Sequence, residues 1–283
     1  MKTGLVLEGG AMRGMFTAGI LDVLMEEGIQ VDGIVGVSAG ACFGCNFKSG
    51  QIGRSLRYNM KYCNDPRYCG IRSYLKTGDL FGAEFCYKEI PTKLDIFDTE
   101  AFQRSPVEFY VVCTDVETGE PVYQKLQKGE EEDLEWIRAS ASMPGVSHVV
   151  EVGGKKLLDG GIVDPIPLKF FEKQGYDRII VVLTQPRDYL KEETKALPIM
   201  KRLLKKYPKV YGAMKERHHV YNHQTAYVRA QEKKGEILVL RPEEKLPIGR
   251  IEHDPDNLRH VHEIGRKVAK AYMGEIRELM SQG

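Results

Sequence analysis

A serine framed by glycines, Gly36-Val37-Ser38-Ala39-Gly40, follows directly on the strand-forming residues Val31, Ile34, Val35 and Val37. The pattern G-x-S-x-G sets a serine on a sharp strand-to-helix turn, where its hydroxyl stands exposed at the edge of a sheet. Gly36 and Gly40 suit such a turn because neighbouring backbone passes where a Cβ would sit. Ser38 is therefore a candidate nucleophile. It needs a base to take its proton and donors to hold the oxyanion that its attack creates.

The second stretch with chemistry in it is Glu8-Gly9-Gly10-Ala11-Met12-Arg13-Gly14. A glycine-rich turn from a strand into a helix presents backbone N–H groups and the positive end of the helix dipole to an anion. That anion is either a phosphate or an oxyanion. A nucleotide P-loop needs Lys and Ser or Thr after its last glycine, and here Gly14 is followed by Met15-Phe16. The dinucleotide pattern G-x-G-x-x-G fails at Ala11; Asp32 would be its acidic partner, but the strand beside it ends in a serine elbow that such a fold does not need. The oxyanion reading fits better, because adjacent parallel strands bring both turns to one sheet edge.

For the base, the seven histidines (148, 218, 219, 223, 253, 260 and 262) offer no residue on a loop directly after an apolar strand. Asp159-Gly160-Gly161 does follow one, Lys155 to Leu158, and its two glycines allow close backbone approach. A carboxylate held beside a serine hydroxyl can act as base without imidazole where water is excluded and the oxyanion hole is strong.

The elements that must position these residues read as an α/β chain. Leu5 to Leu7 is a short buried strand, Gly14 to Glu27 a helix closed by Gly28, and Val31 to Val37 a second strand, together a right-handed βαβ unit. The small residues from Ala39 to Cys45 make a helix able to lie against the sheet. Residues 51 to 97 read as an irregular excursion, with a helix that turns Arg54, Arg57 and Lys61 to solvent. Val107 to Cys113 is a central strand, Pro121 to Gln124 an antiparallel one, and Leu134 to Ser142 a helix. Asp164-Pro165 looks like the cap of a helix running to Gln174. Arg178 to Leu183 and Glu236 to Leu240 are further strands, and one amphipathic helix carries Leu258, Val261, Ile264, Val268, Tyr272, Ile276 and Leu279.

Composition excludes several classes. The 283 residues carry a net charge of +1, which is no footprint for nucleic acid. Six scattered cysteines lack a disulfide framework and fit reduced thiols. The N-terminal apolar run is too short for a signal peptide, and no stretch approaches the roughly 20 apolar residues of a span. A cytoplasmic protein is expected, with peripheral membrane contact open through the aromatic and basic residues of 54–88 and the Lys/Arg-Leu stretch of 195–217. The simplest roles for the remaining polar candidates are structural: core thiols for Cys42 and Cys45, a turn for Asp115, a cap for Asp164 and a loop contact for His148.

Taken together, Gly9-Gly10-Ala11-Met12-Arg13-Gly14, Gly36-Val37-Ser38-Ala39-Gly40 and Asp159-Gly160-Gly161 resemble, in order and spacing, the motifs of the patatin-like phospholipase family. The Ala139 to Pro144 run resembles that family's Ala/Ser-rich segment before the aspartate, and the match covers residues 5 to about 170. The resemblance implies a three-layer α/β/α fold with a mainly parallel central sheet, the C-terminal residues 171–283 completing a single domain of 1–283. It further implies a metal-free, cofactor-free Ser–Asp dyad that hydrolyses lipid or phospholipid acyl esters. Ser38 matches the nucleophile, Asp159 the general base, and the 9–14 loop the oxyanion hole, with the N–H groups of Gly10 and Ala11 as donors. The family usually has Gly where this chain has Ala11, and a positive φ there would be strained. Competing readings are a Ser-His-Asp esterase, a lipid- or nucleotide-binding module with a vestigial site, and acyl transfer to an acceptor other than water. Neither oligomeric state nor head group is readable from these residues.

Overall fold

Strand β1 (Lys2–Leu7) sends Leu5 and Leu7 to one face of a sheet and Val6 to the other, the period-two alternation of a strand buried on both sides. A computed structural model describing residues 1–281 places β1 at the centre of an eight-stranded sheet. The other strands are β2 (Gly33–Val37), β3 (Glu108–Asp115), β4 (Pro121–Leu126), β5 (Val150–Val152), β6 (Lys155–Asp159), β7 (Tyr176–Val182) and β8 (Ile237–Leu240). Their order is β5-β6-β3-β2-β1-β7-β8, with β4 paired to β3. β3, β2, β1, β7 and β8 run parallel, whereas β4 and β6 join β3 antiparallel and β5 joins β6 antiparallel.

The helices are α1 (Gly14–Glu26), α2 (Ala39–Lys48), α3 (Arg54–Tyr62), α4 (Ile71–Thr77), α5 (Thr99–Arg104), α6 (Glu131–Ser140), α7 (Leu168–Lys173), α8 (Leu197–Leu203), α9 (Pro208–Lys234), α10 (Pro255–Ala271) and α11 (Met273–Ser281). Phe16 and Ile20 of α1, Phe43 of α2 and Leu258 and Val261 of α10 pack with Leu5, Leu7 and Ile34 on one face. Leu168 and Phe171 of α7, with Tyr221 and Val228 of α9, pack with Val6, Val35 and Val37 on the other. The result is the three-layer α/β/α arrangement with a mainly parallel sheet that the motifs imply. A buried contact between His262 Nε2 and Asp22 Oδ2, 2.8 Å, ties α10 to α1.

Several expectations need correction. The stretch 51–97 is largely helical, containing α3, α4 and a π-helix at Phe85–Leu94 with Pro91 inside it. Arg54 is buried rather than solvated: its guanidinium donates to Asn46 Oδ1 (2.9 Å) and to the Asp95 carbonyl (2.6 Å) and pairs with the Asp95 carboxylate at 3.3 Å. Asp164 caps no helix. Residues preceding proline are pushed out of the helical region, so Pro165 and Pro167 delay α7 to Leu168. The freed Asp164 carboxylate accepts instead from Tyr123 O–H and Gln224 Nε2–H, each at 2.6 Å. The single C-terminal helix is two, broken at Tyr272 just ahead of Gly274.

Candidate active site

Strand register assembles the site. Leu7 pairs with Gly36, Val37 with Val112, and Cys113 with Asp159, so the 8–14 turn and the Ser38 turn leave neighbouring strands at one sheet edge. Asp159 reaches the same edge from β6, across β3. Ser38 has φ 54 and ψ −120, the sharp elbow that the glycines foretell. A non-glycine residue held there stores on the order of 1–3 kcal/mol of strain. A Cβ on Gly40 would sit 2.4 Å from the Leu7 carbonyl oxygen, and one on Gly9 would sit 2.8 Å from the Ser38 Cβ; only glycine lets the two turns touch. Gly36 lies behind the elbow in β2. Gly9 and Gly10 lead into a 3-10 turn over Ala11–Arg13, whose Arg13 N–H donates to Gly10 O at 3.1 Å, and Gly14 opens α1. The Gly10 N–H precedes that turn and the Ala11 N–H opens it, where helical backbone has no internal acceptor to offer. Ala11 has φ 48: the strained angle is present, and alanine adopts it.

Asp159 is 2% exposed. Its Oδ1 accepts from the Gly161 N–H at 2.7 Å, its carbonyl from the Thr114 hydroxyl at 2.7 Å, and its own N–H donates to Ser142 O at 2.8 Å. Burial pushes its carboxyl up to about 6, held back by hydrogen bonding from Ser38, by the Gly161 N–H and by the charge of Arg217. No histidine stands among these neighbours. Gly160 and Gly161 form the short 3-10 turn behind the carboxylate.

Sequence reading missed the residues that hold this geometry. Ser140, fully buried, accepts from the Ser38 N–H at 2.9 Å and donates to Val112 O at 2.7 Å. With Ser142 it makes the Ala139 to Pro144 run a brace on both Ser38 and Asp159, and two serines in a run matched only as a motif were the available signal. Ser140→Ala is expected to lower stability by about 1–3 kcal/mol through the unpaired Ser38 N–H and Val112 carbonyl. It should also cut kcat on the order of 10-fold with KM little changed, read by urea unfolding and steady-state ester hydrolysis. Glu8, 3% exposed, accepts from Thr184 N–H (2.6 Å), Thr184 O–H (3.2 Å) and Tyr221 O–H (2.7 Å), fixing the start of the 9–14 turn to the C-terminal part of the chain. Arg217 of α9 donates through Nε to Gly161 O at 2.7 Å.

Other candidates stay apart from this edge. Cys45 donates to Cys42 O, and the Cys42 thiol faces the Tyr87 hydroxyl at 3.5 Å. Asp115 accepts from the Glu117 and Thr118 N–H groups in its turn. The His148 ring lies against Thr77 O at 2.9 Å, bracing α4. A cavity of about 330 Å³ around Leu168, His223 and Tyr227 opens between α7 and α9 and does not include Ser38 or Asp159.

A family model described as patatin-like phospholipase matches residues 5–171, and one described as a domain of unknown function (DUF6363) matches residues 207–281. The chain is 31% identical to uncharacterized protein YjjU of Escherichia coli K12 over 65% of its own length and 52% of that protein. It is 29% identical to uncharacterized NTE family protein Rv1063c of Mycobacterium tuberculosis over 59% and 44%, and 28% identical to lysophospholipase NTE1 of Debaryomyces hansenii over 64% and 12%. It thus spans about half or less of these relatives. Among solved structures, VipD from Legionella pneumophila aligns with 95% of the chain at TM-score 0.41 and 10% identity. The motifs, the sheet that gathers them and a model matching more than half of the residues carry one conclusion: the chain belongs to the patatin-like phospholipase family.

Proposed function

We propose that the protein is a serine acyl hydrolase acting on lipid acyl esters, in the manner of a phospholipase or lysophospholipase. The observation that carries this reading is the Ser38 elbow, strained and exposed to the 9–14 turn, at one sheet edge with a buried carboxylate whose pKa is raised to about 6. Asp159 accepts the Ser38 proton as the hydroxyl attacks the ester carbonyl. The Gly10 and Ala11 N–H groups hold the tetrahedral oxyanion, in the field of the α1 N-terminus. The alcohol departs with the proton from Asp159, leaving an acyl-enzyme. Water then attacks with Asp159 again as base and releases the fatty acid. Residues 171–283 complete the same domain in this reading, since β7 and β8 extend the sheet and Glu8 is held by Thr184 and Tyr221.

Access to lipid fits a peripheral approach. No helix among the described residues is long and apolar enough to cross a membrane. Ile71, Tyr74 and Leu75 of α4 and Ile199 and Leu203 of α8 are exposed beside Arg72, Lys76, Lys201 and Arg202, and both helices flank Gly145. Apolar tips with basic neighbours suit an anionic lipid surface.

A fluorophosphonate probe tests the nucleophile. Wild type is expected to label at Ser38 and lose phospholipid and p-nitrophenyl ester hydrolysis on labelling. Ser38→Ala should neither label nor turn over, and each single His→Ala variant should keep most of its activity. Labelling elsewhere, or one histidine whose loss abolishes turnover, would refute the dyad.

A further inference from the structure

Beyond the dyad, three cations converge on the same sheet edge from different parts of the chain. Arg217 is anchored through Nε to the Gly161 carbonyl, and its Nη2 lies 3.7 Å from where a Gly161 Cβ would be. Lys191 is fixed at its backbone by Asn222, which accepts from its N–H at 2.8 Å and donates to its carbonyl at 2.9 Å. The Lys191 ammonium stands 4.5 Å from the ring centroid of Tyr221, the residue whose hydroxyl reaches Glu8. Arg13 belongs to the 9–14 turn itself, and its Nε is buried with no hydrogen-bond partner among the described residues.

Among the described residues, none of these three forms an ion pair within 4.0 Å. Glu8 is the carboxylate that acts on Lys191, and Asp159 the one that acts on Arg217. Both Glu8 oxygens are taken by Thr184 and Tyr221, and Asp159 Oδ1 accepts from the Gly161 N–H. The cations also oppose one another. Burial and then Arg217, with Arg13 and Arg250, push the Lys191 ammonium down to about 8 against the pull of Glu8. Burial holds Arg217 below its ordinary value, with Arg250 and Arg13 adding to the effect and Asp159 opposing it. Partly desolvated like charges with no carboxylate in direct ion-pair contact are costly unless an arriving anion offsets them. Two guanidinium forks and an ammonium suit the several oxygens of a phosphate.

We propose that Arg13, Lys191 and Arg217 form an anion subsite beside Ser38 that receives the phosphate of the substrate's head group. The proposal rests on the acyl hydrolase reading and narrows its substrate class to phosphate-bearing lipids over neutral glycerides. Arg217 and Lys191 lie outside the 5–171 family match, so the C-terminal part of this chain supplies the selectivity.

Two measurements test it. In the first, Ser38→Ala protein is titrated by calorimetry with glycerol 3-phosphate, inorganic phosphate and glycerol. Glycerol 3-phosphate should bind, glycerol should not, and Lys191→Met should weaken binding at least about 10-fold while Lys191→Arg retains it within about 3-fold. In the second, kcat/KM is compared for lysophosphatidylglycerol and monoacylglycerol. The ratio should favour the phosphate-bearing lipid and fall at least about 10-fold in Lys191→Met. Unchanged binding in Lys191→Met overturns the subsite even if Ser38 hydrolyses esters. Phosphate binding without preference for the phosphate-bearing lipid overturns the head-group assignment in favour of free phosphate. Absence of hydrolysis in wild type overturns the enzyme reading, and the Ser38→Ala titration still decides the anion site.

Discussion

Asp159→Asn is expected to abolish ester hydrolysis and, at pH 8, to make the folded chain more stable. Both effects follow from one feature, a carboxylate 2% exposed whose pKa is raised by burial from 3.8 to about 6. In the proposed dyad Asp159 must be ionised to act as base, so wild-type kcat/KM should rise with pH through about 6 and level off above it. For stability the sign is opposite. Between the unfolded value of 3.8 and about 6 the native state holds a proton that the unfolded chain has released, so stability falls as pH rises across that window. Above it the full penalty remains, on the order of 3 kcal/mol at about 1.4 kcal/mol for each unit. Asparagine is never charged and escapes it. Its oxygen can still accept from the Gly161 N–H, so the variant should gain about 1–3 kcal/mol at pH 8 and almost nothing at pH 4. Urea unfolding at the two pH values reads the gain, and esterase assays read the loss. An Asn variant less stable than wild type at pH 8 would mean that the carboxylate is well solvated or well paired, and the account of its activation would fall.

The parts of this site that could be read from the chain are those in which one short stretch carries its own geometry. Gly36 to Gly40 encodes the elbow, Gly9 to Gly14 the turn into α1, and the apolar strands before them put both at one edge. The positive φ at Ala11 was readable too, from an alanine in a turn built for glycine. Asp159, far along the chain from Ser38, was readable because its own strand-Asp-Gly-Gly stretch marks it; what escaped was the set of distant residues that brace these stretches. Glu8 meets Thr184 and Tyr221 across 176 and 213 residues, and Ser38 meets Ser140 across 102. No local periodicity encodes such contacts. Arg54 shows the same limit in reverse: helical spacing assigned it to solvent, while Asn46 and Asp95, brought in by other elements, give its charge a buried home. Asp164-Pro165 misled for a local reason, since a second proline at 167 keeps Ile166 out of the helix that a cap would begin.

Glu8→Ala is expected to cost about 3–5 kcal/mol of stability and most of the activity, although Glu8 touches no substrate atom in the proposed mechanism. Its carboxylate accepts three hydrogen bonds in a place from which water is excluded. Removing it leaves the Thr184 N–H and the Tyr221 hydroxyl buried without acceptors, and removing one side of a buried, charge-assisted set is the costly way to break it. The functional loss has a separate route. Glu8 ends β1 and starts the 9–14 turn, and the Thr184 hydroxyl that it engages also reaches Gly9 O at 3.3 Å. Freed from Glu8, Thr184 and α9 no longer hold that turn against Ser38, and donors displaced from the oxyanion lose their advantage in the transition state. Glu8→Gln separates the two effects. Its carbonyl oxygen can serve Thr184 while its amide donates to the Tyr221 oxygen, so about 1–2 kcal/mol is expected, with a smaller fall in kcat. Tyr221→Phe completes a double-mutant cycle with Glu8→Ala, and strong non-additivity is required if the two act as one unit. Additive effects, or a Glu8→Ala variant within 1 kcal/mol of wild type by urea unfolding, would show the turn to be held by something other than this carboxylate.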